Sequence, residues 1–177
     1  LAALLEGGRA GNRYPDLRLA LREKIGARYG LTAANVFLAN GSSETIDSMM
    51  RAFLQPGDEI LLPWPTFSLF DVRATVVGGT VVRVPFVGHS VQYSLAEYLN
   101  RITDRTRLIL VVTPNNPTGS FFPKDDLRKL LDRGIPTCID EAYVEFHPEV
   151  ASHVDLLADY PNAFVSRTMS KAYGLAG

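Results

Sequence analysis

Short runs of consecutive apolar residues alternate along this chain with segments whose apolar residues recur at helical spacing, and this alternation limits the fold more than any other feature. Residues 60–62, 81–84, 108–112, 137–139 and 163–165 read as strands, and the most continuous of them, 108–112, is apolar at every position. A further short strand is predicted at 36–39. Leu17, Leu21 and Ile25 predict a helix over 17–29 with Gly30 as its stop. After Asn40-Gly41-Ser42-Ser43, a second helix carries Ile46, Met49, Met50, Phe53 and Leu54 on one face. Helices are also expected at 67–77, 94–102 and 124–132. Pro56-Gly57-Asp58, Gly78-Gly79 and Gly134 punctuate the pattern. Strands that are apolar on both faces and alternate with helices define an α/β fold: a mostly parallel sheet with helices on both faces. Ligands of such sheets bind beyond the carboxyl ends of the strands. No repeat, low-complexity tract or linker interrupts the pattern, so the segment reads as one incomplete α/β domain.

Composition narrows the function classes. The chain has 177 residues, 46% of them hydrophobic, enough for a sizeable core. Its 18 basic and 19 acidic residues leave a net charge of -1 and form no long run of either sign, which argues against a nucleic-acid or anionic-membrane footprint. Any bound anion is expected to be small. The single cysteine, Cys138, lies in the apolar run 135–139 and is expected to be a buried core thiol. Apolar runs such as 108–112 are too short to span a bilayer, and the first residues carry no basic segment followed by a long apolar stretch, so a cytoplasmic enzyme is expected. His89, His147 and His153 show no metal-ligand spacing, and no metal site is expected. Neither a Gly-Lys-Ser/Thr phosphate loop, a Gly-x-Gly-x-x-Gly turn nor a Gly-x-Ser-x-Gly elbow is present. The chain opens at Leu1 instead of Met and stops at Gly177 inside a small-residue turn, so both ends are expected to be truncations.

Polar clusters follow several of the strands. Residues 163–165 lead into Ser166-Arg167-Thr168-Met169-Ser170-Lys171, a hydroxyl-rich turn holding one lysine, and such an amine can form a Schiff base with an aldehyde cofactor. Asp140 follows Ile139 directly, so its carboxylate should emerge partly desolvated at the mouth of the sheet, where it would favour a cationic partner such as a protonated pyridine nitrogen. A helix cap or a structural ion pair is the alternative. Tyr143 could hydrogen-bond a ring oxygen, or be a half-buried aromatic. Asn115 and Asn116 lie between two prolines, where a side-chain amide can donate to a ring oxygen, although turn chemistry alone accounts for these residue types. Gly41-Ser42-Ser43 at a helix start suits a phosphate, or Ser42 or Ser43 merely caps the helix. Phe67 could stack on a flat ring or belong to the core.

Taken in order, Asn12-Arg13-Tyr14-Pro15-Asp16, Gly41-Ser42-Ser43-Glu44, Pro65-Thr66-Phe67, Pro114-Asn115-Asn116-Pro117-Thr118-Gly119, Asp140-Glu141-Ala142-Tyr143 and Ser170-Lys171-Ala172-Tyr173-Gly174 resemble the fold-type I pyridoxal-phosphate aminotransferases. Within them the set is most similar to the histidinol-phosphate aminotransferases. The resemblance runs from about Asn12 to Gly177 and implies residues 1–15 as a segment leading into the large domain, and 16–177 as a cofactor-binding large domain without its small domain. It implies pyridoxal 5'-phosphate as cofactor, bound covalently by Lys171, with Asp140 on the pyridine nitrogen and Tyr143 and Asn116 on the phenolic oxygen. Phe67 would stack on the ring, while Ser42, Ser43, Thr168 and Ser170 would surround the phosphate. Tyr14 matches a tyrosine that reaches a neighbouring subunit's phosphate, implying a homodimer. The family's phosphate arginine beyond the lysine and its substrate arginines near the C-terminus are not in this chain. The implied reaction passes the amino group of histidinol phosphate to 2-oxoglutarate; an aromatic aminotransferase or a threonine-phosphate-type decarboxylase is the alternative, and a non-catalytic regulatory domain a remote one.

Overall fold

The computed structural model describes residues 19–176, which belong to two compact units, one ending at Leu38 and one beginning at Ala39. In the first, helix α1 (Leu19–Arg28) stops before Gly30, whose φ of 69° suits glycine. Arg22 folds the following turn back on this helix: its Nε donates to the carbonyls of Ala33 at 3.0 Å and Val36 at 2.8 Å. The strand expected at 36–39 does not form. Val36 is extended, with φ -112° and ψ 118°, but its carbonyl accepts from Arg22 instead of a neighbouring strand. A β-branched and aromatic composition makes a segment extended; only a partner makes it a strand.

The second unit contains α2 (Gly41–Phe53), β1 (Glu59–Trp64), α3 (Leu69–Val76), β2 (Thr80–Pro85), α4 (Leu95–Leu99), β3 (Thr106–Val112), α5 (Lys124–Leu131), β4 (Thr137–Asp140) and β5 (Ala163–Ser166). Short 3-10 helices at Val144–Phe146 and His153–Ala158 were not foreseen from the sequence. The helices at 67–77 and 94–102 prove shorter than expected; in the second, Ser94 caps the start, accepting from the Glu97 N–H at 3.3 Å, and beyond Leu99 the Arg101 and Ile102 N–H groups bond carbonyls three residues back. All strands pair in parallel in the order β2-β1-β3-β4-β5.

The central strands are apolar throughout because both faces are covered. Ile60, Leu62, Leu108, Leu110, Val112 and Cys138 point toward α2 and α3 and pack on Ile46, Met50, Phe70 and Ala74. Their alternates, Leu61, Ile109, Val111 and Ile139, pack on Tyr98 of α4 and on Leu127, Leu130 and Leu131 of α5. This period of two places each strand's last residue on a known face. Val112, Asp140 and Ser166 stand opposite one another in the register. Asp140 shares the parity of Cys138, so its side chain emerges on the face covered by α2. Cys138 is buried, and desolvation pushes its thiol well above the usual range, as a core thiol requires.

Leu110 lies at the centre of this arrangement with no exposed surface. Leu110→Ala is expected to destabilise the protein by about 2–5 kcal/mol, whereas Val76→Ala, at a position 61% exposed on α3, should change stability by less than about 0.5 kcal/mol. Denaturant unfolding of the two variants checks the contrast.

Candidate active site

The loops after β1, β3, β4 and β5 are held by side chains that hide their polar atoms from water. Beyond β3, the Gly119 N–H donates to the Asn115 carbonyl at 2.7 Å and the Asn115 N–H to the Ser120 carbonyl at 2.9 Å, closing a turn. The buried Asn115 amide donates to the Pro65 carbonyl at 3.1 Å and to the Thr118 hydroxyl at 2.9 Å, while its oxygen accepts from the Thr66 hydroxyl at 2.8 Å. Asn115 therefore knots the loop after β1 to the loop after β3. Asn116 is left to face the next loop, and its Nδ2 donates to the Tyr143 hydroxyl at 3.3 Å. Phe67 lies on the knotted β1 loop, in edge contact with Phe70 at 6.0 Å between ring centroids, and is itself exposed.

At the end of β4 two adjacent carboxylates are buried in different ways. Glu141 has no exposed surface and is saturated with donors: the Ser152 hydroxyl and the His153 N–H, each at 2.6 Å, and the His153 ring Nδ1 at 2.9 Å. Burial alone would raise Glu141, yet the donors from His153 and Ser152 together hold it below the ordinary carboxylate range. Its backbone N–H continues the sheet to the Ser166 carbonyl at 2.8 Å. This locks the loop that begins with Asp140. His153, which the sequence marked only by its lack of metal-ligand spacing, is buried and structural.

Asp140 is 5% exposed and accepts from the Ala142 N–H at 3.2 Å and from the Ser166 hydroxyl. No described cation forms an ion pair with it. Burial pushes its carboxyl up to about 7, the Glu141 charge adds to the rise, and the Ala142 and Ser166 donors oppose it. A carboxylate so placed is stabilised by any cation that arrives on the α2 face.

The loop after β5 supplies an amine. Thr168 is buried and its hydroxyl accepts from the Ser170 N–H at 3.1 Å; the Gly174 N–H donates to the Lys171 carbonyl at 3.0 Å and the Leu175 N–H to the Met169 carbonyl at 2.9 Å. Lys171 is exposed, and its Nζ lies 5.7 Å from the centroid of the Tyr143 ring. Phe53 of α2 packs edge-on against Phe164 of β5 at 5.1 Å, setting that helix over this strand. The start of α2 consequently faces the same loop: Gly41 has φ +73°, and a Cβ there would sit 4.0 Å from Ser170 Oγ. Asn40, not Ser42 or Ser43, occupies the cap position, and it makes no side-chain capping bond. The Gly41 N–H donates to the Ala39 carbonyl at 3.0 Å, and with no side-chain cap from Asn40 the N–H groups that follow it in the first turn of α2 suit an anion, with Ser42 half-buried and Ser43 exposed beside them.

The structure therefore brings Asn116, Tyr143 and Lys171 into contact, places Asp140 on the same strand ends, and sets Ser42 and Ser43 at the helix start that meets Ser170 and, next to it, Thr168. Phe67 joins through the Asn115 knot. Tyr14 lies outside the described residues. Ser166 and the Glu141–His153 contact were not singled out from the sequence; of the two amides noted between the prolines, Asn115 is used within the loops and Asn116 faces Tyr143. Among the described residues no group of three or more His, Cys, Asp or Glu could hold a metal ion, and no helix is long and apolar enough to cross a membrane.

The raised Asp140 carboxyl makes stability depend on pH in a definite direction. The folded chain keeps this proton to higher pH than the unfolded chain, so the contribution is complete below the ordinary 3.8 and is lost as pH rises to about 7. In the ligand-free full-length protein, Asp140→Asn should raise the thermal midpoint above that of wild type at pH 8, with the gain fading toward pH 4. Midpoints of both proteins across this range check the sign.

The family model described as aminotransferase class I and II matches residues 2–177. The chain is 38% identical over 184 residues to the histidinol-phosphate aminotransferase 2 of Carboxydothermus hydrogenoformans, covering 99% of this chain and 50% of that one. It is 37% identical over 179 residues to the aromatic amino acid aminotransferase of Rhodococcus opacus, again covering 99% of this chain and 50% of the relative. The histidinol-phosphate aminotransferase of Sinorhizobium meliloti, solved in complex with pyridoxal-5'-phosphate, superposes with a TM-score of 0.81 at 26% identity, over 98% of this chain and 49% of that one. The chain thus spans about half the length of the curated relatives it matches. Class I and II aminotransferases use pyridoxal 5'-phosphate as cofactor. With the family model matching nearly every residue and the parallel sheet shared with a solved member, this chain belongs to the class I and II aminotransferases.

Proposed function

We propose that this protein is a pyridoxal 5'-phosphate-dependent transaminase whose cofactor is carried by Lys171. The observation that carries the reading is the convergence of the Lys171 amine, the Asn116–Tyr143 hydrogen bond and the buried Asp140 carboxylate at the carboxyl ends of β3, β4 and β5. The donor set fits the group. Asp140 would hold the protonated pyridine nitrogen, the cation its burial favours; the Asn116 amide and Tyr143 hydroxyl are donors for the phenolic oxygen. The open first turn of α2, with Ser42, Ser43, Thr168 and Ser170, would take the phosphate, and the exposed Phe67 ring would lie against the ring face. Tyr14 would reach the phosphate of a second subunit, making the active unit a homodimer. Residues 16–177 would then be the cofactor-binding large domain without its small domain, and 1–15 its leading segment.

When bound, pyridoxal 5'-phosphate supplies an electron sink and a carbon that takes up the amino group. The chain supplies the rest. Once the substrate amine has displaced it from the cofactor, the freed Lys171 Nζ would be the base that takes the proton from the substrate Cα, and its place beside Tyr143 would limit where that amine can move. Asp140 keeps the proton on the ring nitrogen, and without it the sink is weak. Two products leave in turn, with ping-pong kinetics.

For the substrate, we propose histidinol phosphate with 2-oxoglutarate as acceptor, giving imidazole acetol phosphate and glutamate, a step of histidine biosynthesis in the cytoplasm. The name of the Carboxydothermus relative supports this choice. The Rhodococcus relative, named for aromatic amino acids at similar identity, supports the second reading, an aromatic amino acid substrate. The full-length protein, loaded with cofactor and given either amine without any oxo acid, separates them. Loss of the visible absorbance with histidinol phosphate alone supports the first reading, with phenylalanine alone the second, and with neither rejects both. Lys171→Ala is expected to lower turnover by at least about a thousandfold, as steady-state assays with purified variant will read; substantial transamination by it would sink the assignment of the base.

A further inference from the structure

We infer that Glu145 and Arg167 are a positioning pair that holds Lys171 against Tyr143, an inference that rests on the cofactor reading above. Arg167 is the first residue after β5, and Glu145 lies in the short helix Val144–Phe146. Arg167 Nη2 donates to Glu145 Oε1 at 2.7 Å. The side chains are 24% and 14% exposed, unlike surface pairs such as Lys129–Asp126 at 61% and 33%. The second Glu145 oxygen, Oε2, is buried and takes no hydrogen bond from the described residues. Among the described residues, Arg167 is the cation that compensates this carboxylate.

The place of the pair gives it a role. The ladder between β4 and β5 ends with Asp140 opposite Ser166, followed by the Glu141 N–H on the Ser166 carbonyl at 2.8 Å. Beyond that bond the two loops diverge, one carrying Tyr143 and the other Thr168, Ser170 and Lys171. The Arg167–Glu145 bond joins them past the end of the ladder, two residues after Tyr143 and four before Lys171. Exposed ion pairs contribute little and can be lost without consequence. A partly buried pair with an otherwise unpartnered carboxylate oxygen fixes one geometry, and an amine that must meet both a cofactor and a substrate carbon is sensitive to displacements of about 1 Å. The bond joins them to each other, and through it both act on Lys171 by way of the loops they link.

The test uses the full-length protein with Glu145→Gln, which conserves shape, with Arg167→Met, with both together and with Arg167→Lys. Arg105→Met serves as comparator, since it breaks the Arg105–Glu59 pair at the opposite end of β1. Three quantities are read: the dissociation constant of pyridoxal 5'-phosphate, the pH midpoint of the visible absorbance of the lysine-bound cofactor, and the thermal midpoint of the ligand-free protein. Each single variant should weaken cofactor binding by about tenfold or more and shift the pH midpoint, the double variant should be no worse than the poorer single one, and Arg167→Lys should recover most of the loss. Arg105→Met should lower the thermal midpoint and leave the other two readings unchanged. Binding within about twofold of wild type and an unshifted pH midpoint in Glu145→Gln, whatever its thermal midpoint, overturns the pair as a positioning device, as does strict additivity in the double variant. A wild-type protein that develops no visible band with the cofactor overturns the parent reading and this inference with it.

Discussion

The site depends on burying a carboxylate at the end of a strand that is covered on both faces. Because β3 and β4 are closed off by helices on either side, the residue at which β4 ends leaves the sheet before it reaches water. Asp140 occupies that position, on the face under α2, and its charge is costly there unless a cation compensates it. The same parity that sends Cys138 into the core sends Asp140 toward the start of α2. A cation at the carboxylate and an anion at the helix start are therefore favoured on one face of one sheet, with an amine nearby. A cofactor carrying a protonated ring nitrogen and a phosphate matches both ends.

Rigidity in the surrounding loops comes from polar groups used structurally. Asn115 spends its whole amide on Pro65, Thr66 and Thr118, which leaves its neighbour Asn116 to reach Tyr143. Glu141 is saturated by Ser152 and His153, so of two adjacent carboxylates one is a fixed anchor and the other lacks a described counter-charge. This division follows from satisfied against uncompensated burial. Sequence adjacency does not reveal it.

Residues 108–112 announced a buried central strand because every position is apolar, and the face of α2 was readable from the spacing of Ile46, Met49 and Met50. The segment 36–39 has strand-like composition, but its Val36 carbonyl is claimed by Arg22, 14 residues earlier, and no local pattern reports such a bond. The grouping of Lys171, Tyr143, Asn116 and Asp140 was legible because each follows a strand of one parallel sheet, so the fold itself gathers them. Arg167–Glu145 and Glu141–His153 were not, since they join loop residues 22 and 12 positions apart whose meeting depends on three-dimensional paths.

On the function proposed, these strand ends carry the cofactor on one particular amine. Loading the full-length protein with pyridoxal 5'-phosphate, reducing the adduct with borohydride and mapping the modified peptide by mass spectrometry tests it directly. The phosphopyridoxyl mass is expected on Lys171. Modification spread over exposed lysines such as Lys24 and Lys129, or absent from Lys171, would contradict it.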